Sequence, residues 1–174
     1  MTVSTAAIHW GVVVVRGEKW WKMLTGNFPR ALDDKGRVAV PKELRQGLVG
    51  EKSAVFVCPG HEGSIAVFAE TALELLAITL GDGFSRVEHA RAFQRLFYAQ
   101  AQRVEFDAQG RLRIPTELAK LAGLQGEVML LGVRDHLEIW PKPRWDEYLA
   151  RMQPLYDKLA ERRSPNDPVG FPNF

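Results

Sequence analysis

Only one cysteine, Cys58, occurs in the 174 residues, which excludes an intramolecular disulfide and any zinc site built from several cysteines. That usage fits a reducing compartment. The four histidines, His9, His61, His89 and His136, are scattered, and no two stand at a metal-ligand spacing. Dinucleotide fingerprint, phosphate-binding loop and nucleophile elbow are all missing. No catalytic set, metal site or cofactor is indicated. Long apolar runs are missing too, since a membrane helix needs roughly 18 uninterrupted residues. The nearest approach, residues 6–15, contains His9 and Trp10 and is followed by Arg16, Lys19 and Lys22. A signal peptide places its basic residues before the apolar run. A cytoplasmic protein is the expectation.

An excess of one charge is also lacking, with 23 Lys+Arg against 21 Asp+Glu. The net +2 equals the surplus of Arg16, Lys19 and Lys22 over Glu18, all before Met23. From Gly26 to Glu70 the charges balance, so one copy of this protein would bind nucleic acid weakly by electrostatics alone. What matters is where the cations cluster. Hydrophobic residues make up 46% of the chain, enough for one ordinary domain, or two very small ones sharing a core.

What the sequence does contain is a long internal repeat. Residues 33–44, DDKGRVAVPKEL, match residues 107–118, DAQGRLRIPTEL, at an offset of 74. The shared pattern runs Asp, two variable residues, Gly-Arg, an apolar–any–apolar strand pattern, Pro, any, Glu-Leu. Further on, residues 54–57 (AVFV) align with 128–131 (VMLL) at the same offset, and 65–68 (IAVF) with 137–140 (LEIW) at 72. Two copies this far apart indicate a duplicated small domain, not a solenoid.

Each position in the motif has a local reason. Asp33 and Asp107 suit a turn because a carboxylate accepts bonds from backbone N–H groups just ahead, and Gly36 and Gly110 allow positive φ. Val38/Val40 and Leu112/Ile114 have the period of a half-buried strand. Pro41 and Pro115 end the strand and suit a helix start. Short helices are expected at 42–46 and 116–121, closed by glycines, and each copy ends in a hairpin. Residues 58–64 form the longer of the two hairpin turns.

Between the copies, Leu73, Leu76 and Leu80 have helical spacing. Gly81-Asp82-Gly83 is expected to break that helix, and residues 86–101 to resume it with Val87, Ala90, Phe93, Leu96 and Phe97 on one stripe. Together they predict a helical hairpin. Residues 143–163 carry Trp145, Tyr148, Leu149, Met152, Tyr156 and Leu159 at mostly helical spacing, with Pro154 kinking or restarting the helix.

A turn needs its Asp and Gly but not the Arg that follows. Arg37 and Arg111 recur where strand alternation points outward. Lys35 shares a face with Arg37, Arg113 shares one with Arg111, and Lys42 and Arg45 lie close in sequence. Such clusters suit phosphate oxygens and base edges, which a guanidinium fork binds in bidentate fashion. An enzyme built on Cys58 and His61 is the alternative from another class. Both residues lie in one hairpin turn, and only the first copy has them.

Residues 23–41, MLTGNFPRALDDKGRVAVP, closely resemble the opening of the MraZ family of bacterial transcriptional regulators, and the resemblance extends to about Tyr148 through both motif copies. It implies an α+β fold: tandem SpoVT/AbrB-like units forming a swapped-hairpin β-barrel, with a helical hairpin insert and a C-terminal helix. The units would be residues 27–70 and 101–144, the insert 71–100, and the C-terminal helix 145–163, before a disordered tail at 164–174. The resemblance also implies a repressor on direct repeats of double-stranded DNA upstream of a division and cell-wall gene cluster. It would be a ring-like homo-oligomer associated with the nucleoid, without membrane contact. Arg37 and Arg111 would touch DNA, joined by Lys35 and Arg113, with Asp33, Gly36, Asp107 and Gly110 shaping the turns. Ala108-Gln109 replaces Asp34-Lys35, which makes the two sites unequal. Another AbrB-type binder, such as an antitoxin, is the nearest alternative. The resemblance starts at Met23, so Met23 is the expected physiological start and residues 1–22 a leader or spurious extension.

Overall fold

The alternation of the first motif copy becomes β1 (Asn27–Ala31), β2 (Arg37–Ala39), α1 (Lys42–Val49), β3 (Ala54–Pro59) and β4 (Ile65–Phe68). The second copy repeats that order as β5 (Gln102–Glu105), β6 (Arg111–Arg113), α4 (Thr116–Ala122), β7 (Glu127–Val133) and β8 (His136–Pro141). Between them lie α2 (Glu70–Phe84) and α3 (Glu88–Gln100); α5 (Lys142–Met152), a 3-10 turn (Gln153–Leu155) and α6 (Tyr156–Glu161) follow. This computed structural model describes residues 23–49, 54–84 and 88–161. The expected leader and tail lie outside the described residues. No helix among the described residues is long and apolar enough to cross a membrane.

The two copies do not fold side by side. They exchange strands within a six-stranded antiparallel sheet of order β1-β7-β8-β4-β3-β5, and β2 pairs with β6 in a separate two-stranded ribbon. The first strand of each copy thus lies against the hairpin of the other: β1 on β7, and β5 on β3. In the ribbon Val38 faces Leu112, and in the sheet Ala66 faces Glu138. Both are pairs of equivalent residues. An antiparallel pair in which equivalents face each other lies on a local twofold axis, and this axis runs through both pairs. Mixed α+β architecture with antiparallel strands is therefore observed. The six strands leave β1 and β5 as edges, so hydrogen bonding closes no barrel among the described residues.

Strand pairing also corrects the alignment of the hairpins. Ala31 pairs with Glu127 and Glu105 with Ala54, so Ala54 corresponds to Glu127, an offset of 73 instead of 74. Burial agrees. Val55 and Val57 are fully enclosed, as are Val128 and Leu130. A one-residue slip turns every strand side chain to the other face, and apolar residues on both faces of these strands hide that slip from a comparison of sequences alone.

One contiguous core holds both copies. Val38, Val55, Val57, Ile65 and Val67 of the first interlock with Leu112, Leu118, Val128, Leu130, Leu137 and Ile139 of the second, all at most 1% exposed. On the opposite face of β7 and β8, Met129, Leu131 and Trp140 are covered by Trp145 and Tyr148 of α5. Trp140 lies 5.2 Å from Tyr148 and 5.6 Å from Trp145 between ring centres.

Several local expectations change. α2 continues through Gly81-Asp82-Gly83 to Phe84; glycine costs a helix about 1 kcal/mol relative to alanine but does not forbid helical dihedrals. Pro154 ends α5 in the 3-10 turn, and α6 restarts after it. On α3, Ala90 and Phe97 are buried whereas Leu96 is 64% exposed, so the inward stripe is narrower than the spacing suggested. Cys58 belongs to β3, paired with Ala66, and the turn proper is Gly60–Ser64.

Leu112 lies on the local axis and is completely enclosed, so Leu112→Ala is expected to destabilise by about 2–5 kcal/mol. Leu121→Ala, at a site 58% exposed, changes stability by less than about 0.5 kcal/mol. Urea unfolding of the two variants checks the contrast, and equal losses would contradict this placement of the core.

Candidate nucleic-acid interface

Two turns with one geometry flank the β2–β6 ribbon. In the first, Asp33 N–H donates to Arg37 O (2.9 Å) and Gly36 N–H to Asp33 O (2.8 Å). One carboxylate oxygen of Asp33 accepts the backbone N–H groups of Lys35 and Arg37, both at 2.9 Å. The other accepts Arg37 Nε at 2.7 Å. Around Asp107 the same bonds recur at the same lengths, from Gln109 N–H, Arg111 N–H and Arg111 Nε. Gly36 and Gly110 have φ of 68° and 72°, a left-handed backbone that costs other L-residues roughly 1–2 kcal/mol.

The aspartate thus does two jobs with its two oxygens, closing the turn and aiming the arginine that leaves it. Its carboxyl titrates accordingly. The Arg37 side chain, then its backbone N–H, holds Asp33 at about 2. Asp107 is lowered mainly by the Arg111 backbone N–H. The copies also touch, since Arg37 Nη1 lies 3.9 Å from Asp107 Oδ2.

Alternation of the ribbon sends Val38 and Leu112 into the core and leaves Arg37, Ala39, Arg111 and Arg113 on the other face. Arg37 is the pairing partner of Arg113, and Ala39 of Arg111. Arg37 and Arg111 are about a quarter exposed, while Arg113 and Lys35 are exposed and form no ion pair among the described residues. Arg37 gives Nε and Nη2 to Asp33, at 2.7 and 2.6 Å, and Arg111 gives Nε to Asp107 at 2.7 Å, whereas a guanidinium carries five N–H donors. Donors therefore remain for an outside acceptor. The structure brings the four cationic candidates to one ribbon, with Asp33, Gly36, Asp107 and Gly110 forming its two turns.

Two further arginines join them. Arg45, on α1 of the first copy, donates Nε to Val40 O at 3.1 Å and lies on the turn of the second copy, where a Cβ at Gly110 would fall 2.4 Å from its Cζ. Arg30 on β1 donates to Ala39 O at 3.2 Å. The sequence gives Arg45 only as a neighbour of the first motif, and nothing in its spacing points to the second turn or to Arg30. Strand exchange creates the Arg45 contact with the second turn, whereas Arg30 reaches Ala39 O within the first copy.

Cys58 and His61 do not make a nucleophile–base pair. Cys58 is fully enclosed, and burial pushes its thiol up to about 12, whereas a nucleophile needs the thiolate. His61 is exposed, with its ring parallel to that of Phe93 at 6.2 Å.

Two copies of one turn–strand–helix–hairpin unit, exchanging strands and setting arginines on a shared ribbon, define a duplicated α+β protein with a cationic face. The family model described as "MraZ protein, putative antitoxin-like" matches residues 23–95 and 97–164. The chain belongs to the MraZ family. It is 38% identical over 138 residues to the transcriptional regulator MraZ of Symbiobacterium thermophilum, covering 79% of this chain and 97% of that one. Its identity to the transcriptional regulator MraZ of Natranaerobius thermophilus is 35% over 146 residues, covering 80% and 95%.

A carboxyl lowered in the folded state contributes stability that is complete above its unfolded value, about 4, and lost as pH falls towards the folded value. For Asp33 that window runs from about 4 down to about 2. Asp33→Asn and Asp107→Asn are expected to lower Tm at neutral pH and to flatten its decline below about pH 4. Thermal melts across that range provide the measurement; variants with the parent's Tm and the parent's acid slope would refute this account of the turns.

Proposed function

We propose that this protein is a sequence-specific DNA-binding transcriptional regulator that reads double-stranded DNA with the β2–β6 ribbon. The observation carrying this reading is the twofold recurrence of one aspartate-braced turn that sets Arg37 and Arg111 on the same face. A two-stranded ribbon fits the major groove of B-DNA. Arginines entering there bind guanine O6 and N7 in bidentate fashion, while Lys35 and Arg113 at the margin suit phosphate. Relatives that carry the name transcriptional regulator MraZ support the same reading. Strand exchange supports assigning residues 27–70 and 101–144 to two SpoVT/AbrB-like units of the swapped-hairpin type. The targets proposed are direct repeats upstream of a division and cell-wall gene cluster, bound as a repressor at the nucleoid.

Arg37→Ala and Arg111→Ala are expected to weaken binding by about 1–3 kcal/mol each where the arginine meets a base, or to lower the salt slope by about one where it meets only phosphate. Fluorescence anisotropy on DNA from upstream of the chain's own coding region tests this. Binding as tight as the parent's, with an unchanged salt slope, would remove these residues from the interface.

The reading includes self-association into a ring. One ribbon offers few cations, so a lone copy binds weakly, whereas linked copies on repeated sites gain roughly two to four decades through effective concentration. The aromatic groups Phe93/Phe97 and Trp145/Tyr148 are spent inside the chain. Among the described residues, the most exposed apolar side chains on helices are Ile78 on α2, Leu96 on α3, Leu121 on α4 and Tyr156 on α6, each 58–67% exposed and available to a neighbour. Light scattering is expected to give a multiple of the chain mass, and affinity to rise with the number of repeats in the DNA. A monomer binding one repeat as tightly as an array would exclude this mechanism.

A further inference from the structure

The local twofold makes the two ends of the ribbon equivalent in backbone, yet their cations differ. At the first turn stand Lys35, Arg37 and, across the ribbon, Arg113, beside the carboxylates of Asp33 and Asp34; Glu117 lies near too, but Lys120 Nζ donates to it at 3.1 Å. Arg113 shares a groove with Glu117, Thr116 and Gln102. At the second turn stand Arg111, Arg30 and Arg45. Asp107 is the carboxylate of that turn, and it is shared with Arg37. Lys42 and Glu43, which follow at the start of α1, are both exposed and offset each other. By the repeat offset of 74, the equivalents of Arg30 and Arg45 are Val104 and Ala119, and the equivalent of Arg113 is Ala39.

The cations also differ in freedom. Lys35 and Arg113 are exposed side chains without ion pairs among the described residues. Arg30 and Arg45 are half-buried and anchored on consecutive carbonyls, Ala39 O and Val40 O. Arg30 also donates Nη1 to Pro29 O at 2.7 Å and lies 5.9 Å from the centre of the Phe28 ring. Arg45 covers Gly110, whereas a Cβ at Gly36 would meet nothing nearer than Ile114 O at 3.8 Å. An anchored guanidinium loses little rotamer freedom when a ligand arrives, while a free one must be ordered on binding.

We propose that the second-turn end, with Arg30, Arg45 and Arg111, is a pre-organised site for DNA backbone phosphate and supplies more of the affinity than the first-turn end. Two guanidinia fixed by backbone carbonyls flank Ala39 and Val40, and Arg111 comes in from the paired strand. The side chain of Ala39 leaves the ribbon face open where Arg113 stands at the other end. This rests on the DNA-binding reading above and goes beyond it in assigning Arg30 and Arg45 to the contact and in ranking the ends.

The experiment is a salt series from about 50 to 300 mM by fluorescence anisotropy, using a duplex of about 30 base pairs from upstream of the chain's own coding region. Arg45→Gln and Arg30→Gln are each expected to weaken binding about tenfold or more and to lower the salt slope by about one. Arg113→Gln and Lys35→Gln are expected to weaken it less than about threefold. The substituted glutamine keeps a donor for Val40 O or Ala39 O, and circular dichroism melts verify folding. If Arg45→Gln does not fold, Arg30→Gln against Arg113→Gln decides the ranking. Equal losses at the two ends, or the larger loss at Arg113 or Lys35, overturn this proposal while leaving DNA binding intact. Failure of the parent protein to bind the duplex would overturn the DNA-binding reading itself.

Discussion

The pairing of Val38 with Leu112 across the ribbon is the contact on which the rest of the molecule depends. Because these residues are equivalent in the two copies, their pairing sets the local axis, and the axis fixes which hairpin each first strand must join. β1 then reaches β7 and β5 reaches β3, so neither copy completes its sheet alone. A three-residue ribbon contributes little by backbone hydrogen bonding. Its strength is that both central residues are wholly enclosed in the core shared by the two copies.

The same pairing creates the cationic face. A strand buried on one side must show its alternate residues on the other, so enclosing Val38 and Leu112 obliges Arg37, Arg111 and Arg113 to stand outside. The aspartate turns then convert exposed arginines into aimed ones. Each carboxylate uses one oxygen on backbone N–H groups and the other on the guanidinium. Folding of the turn and placement of the arginine are therefore one event. Near-neutral charge in each copy is compatible with a cationic ribbon because strand exchange seats Arg45 on the second turn and pairs Ala39, which holds Arg30, with Arg111.

Duplication followed by divergence has left the backbone symmetric and the surface unequal. Ala39 stands opposite Arg111 while Arg113 stands opposite Arg37, and Arg45 covers one glycine turn while the other is open. Core positions cannot diverge so freely, since a change at Val57 or Leu130 is felt by both copies through one packed cluster. Divergence at the two hairpins is of another kind. The first is one residue longer before its hairpin and one longer within it, and both insertions fall in connections where length is tolerated.

By itself the sequence determined the duplicated unit, the aspartate and glycine turns, the strand-ending prolines and the outward arginines. All of these are local: a turn, a cap or a strand face is specified by residues within a few positions of one another. Long-range partners were settled only by the tertiary structure. Strand exchange, the offset of 73 in β3 and β7, and the seating of Arg45 on Gly110 depend on which apolar faces meet, and many faces of similar composition were available. Apolar spacing misplaced Leu96 for the same reason, because a helical stripe gives the apolar side of α3 but not how much of it a neighbour covers. Cys58 was assigned to a turn because the segment aligned with the second copy ended at Val57, yet pairing with Ala66 keeps the strand running through Pro59. Proline lacks an N–H to donate, but at the last position of a strand that loss costs little.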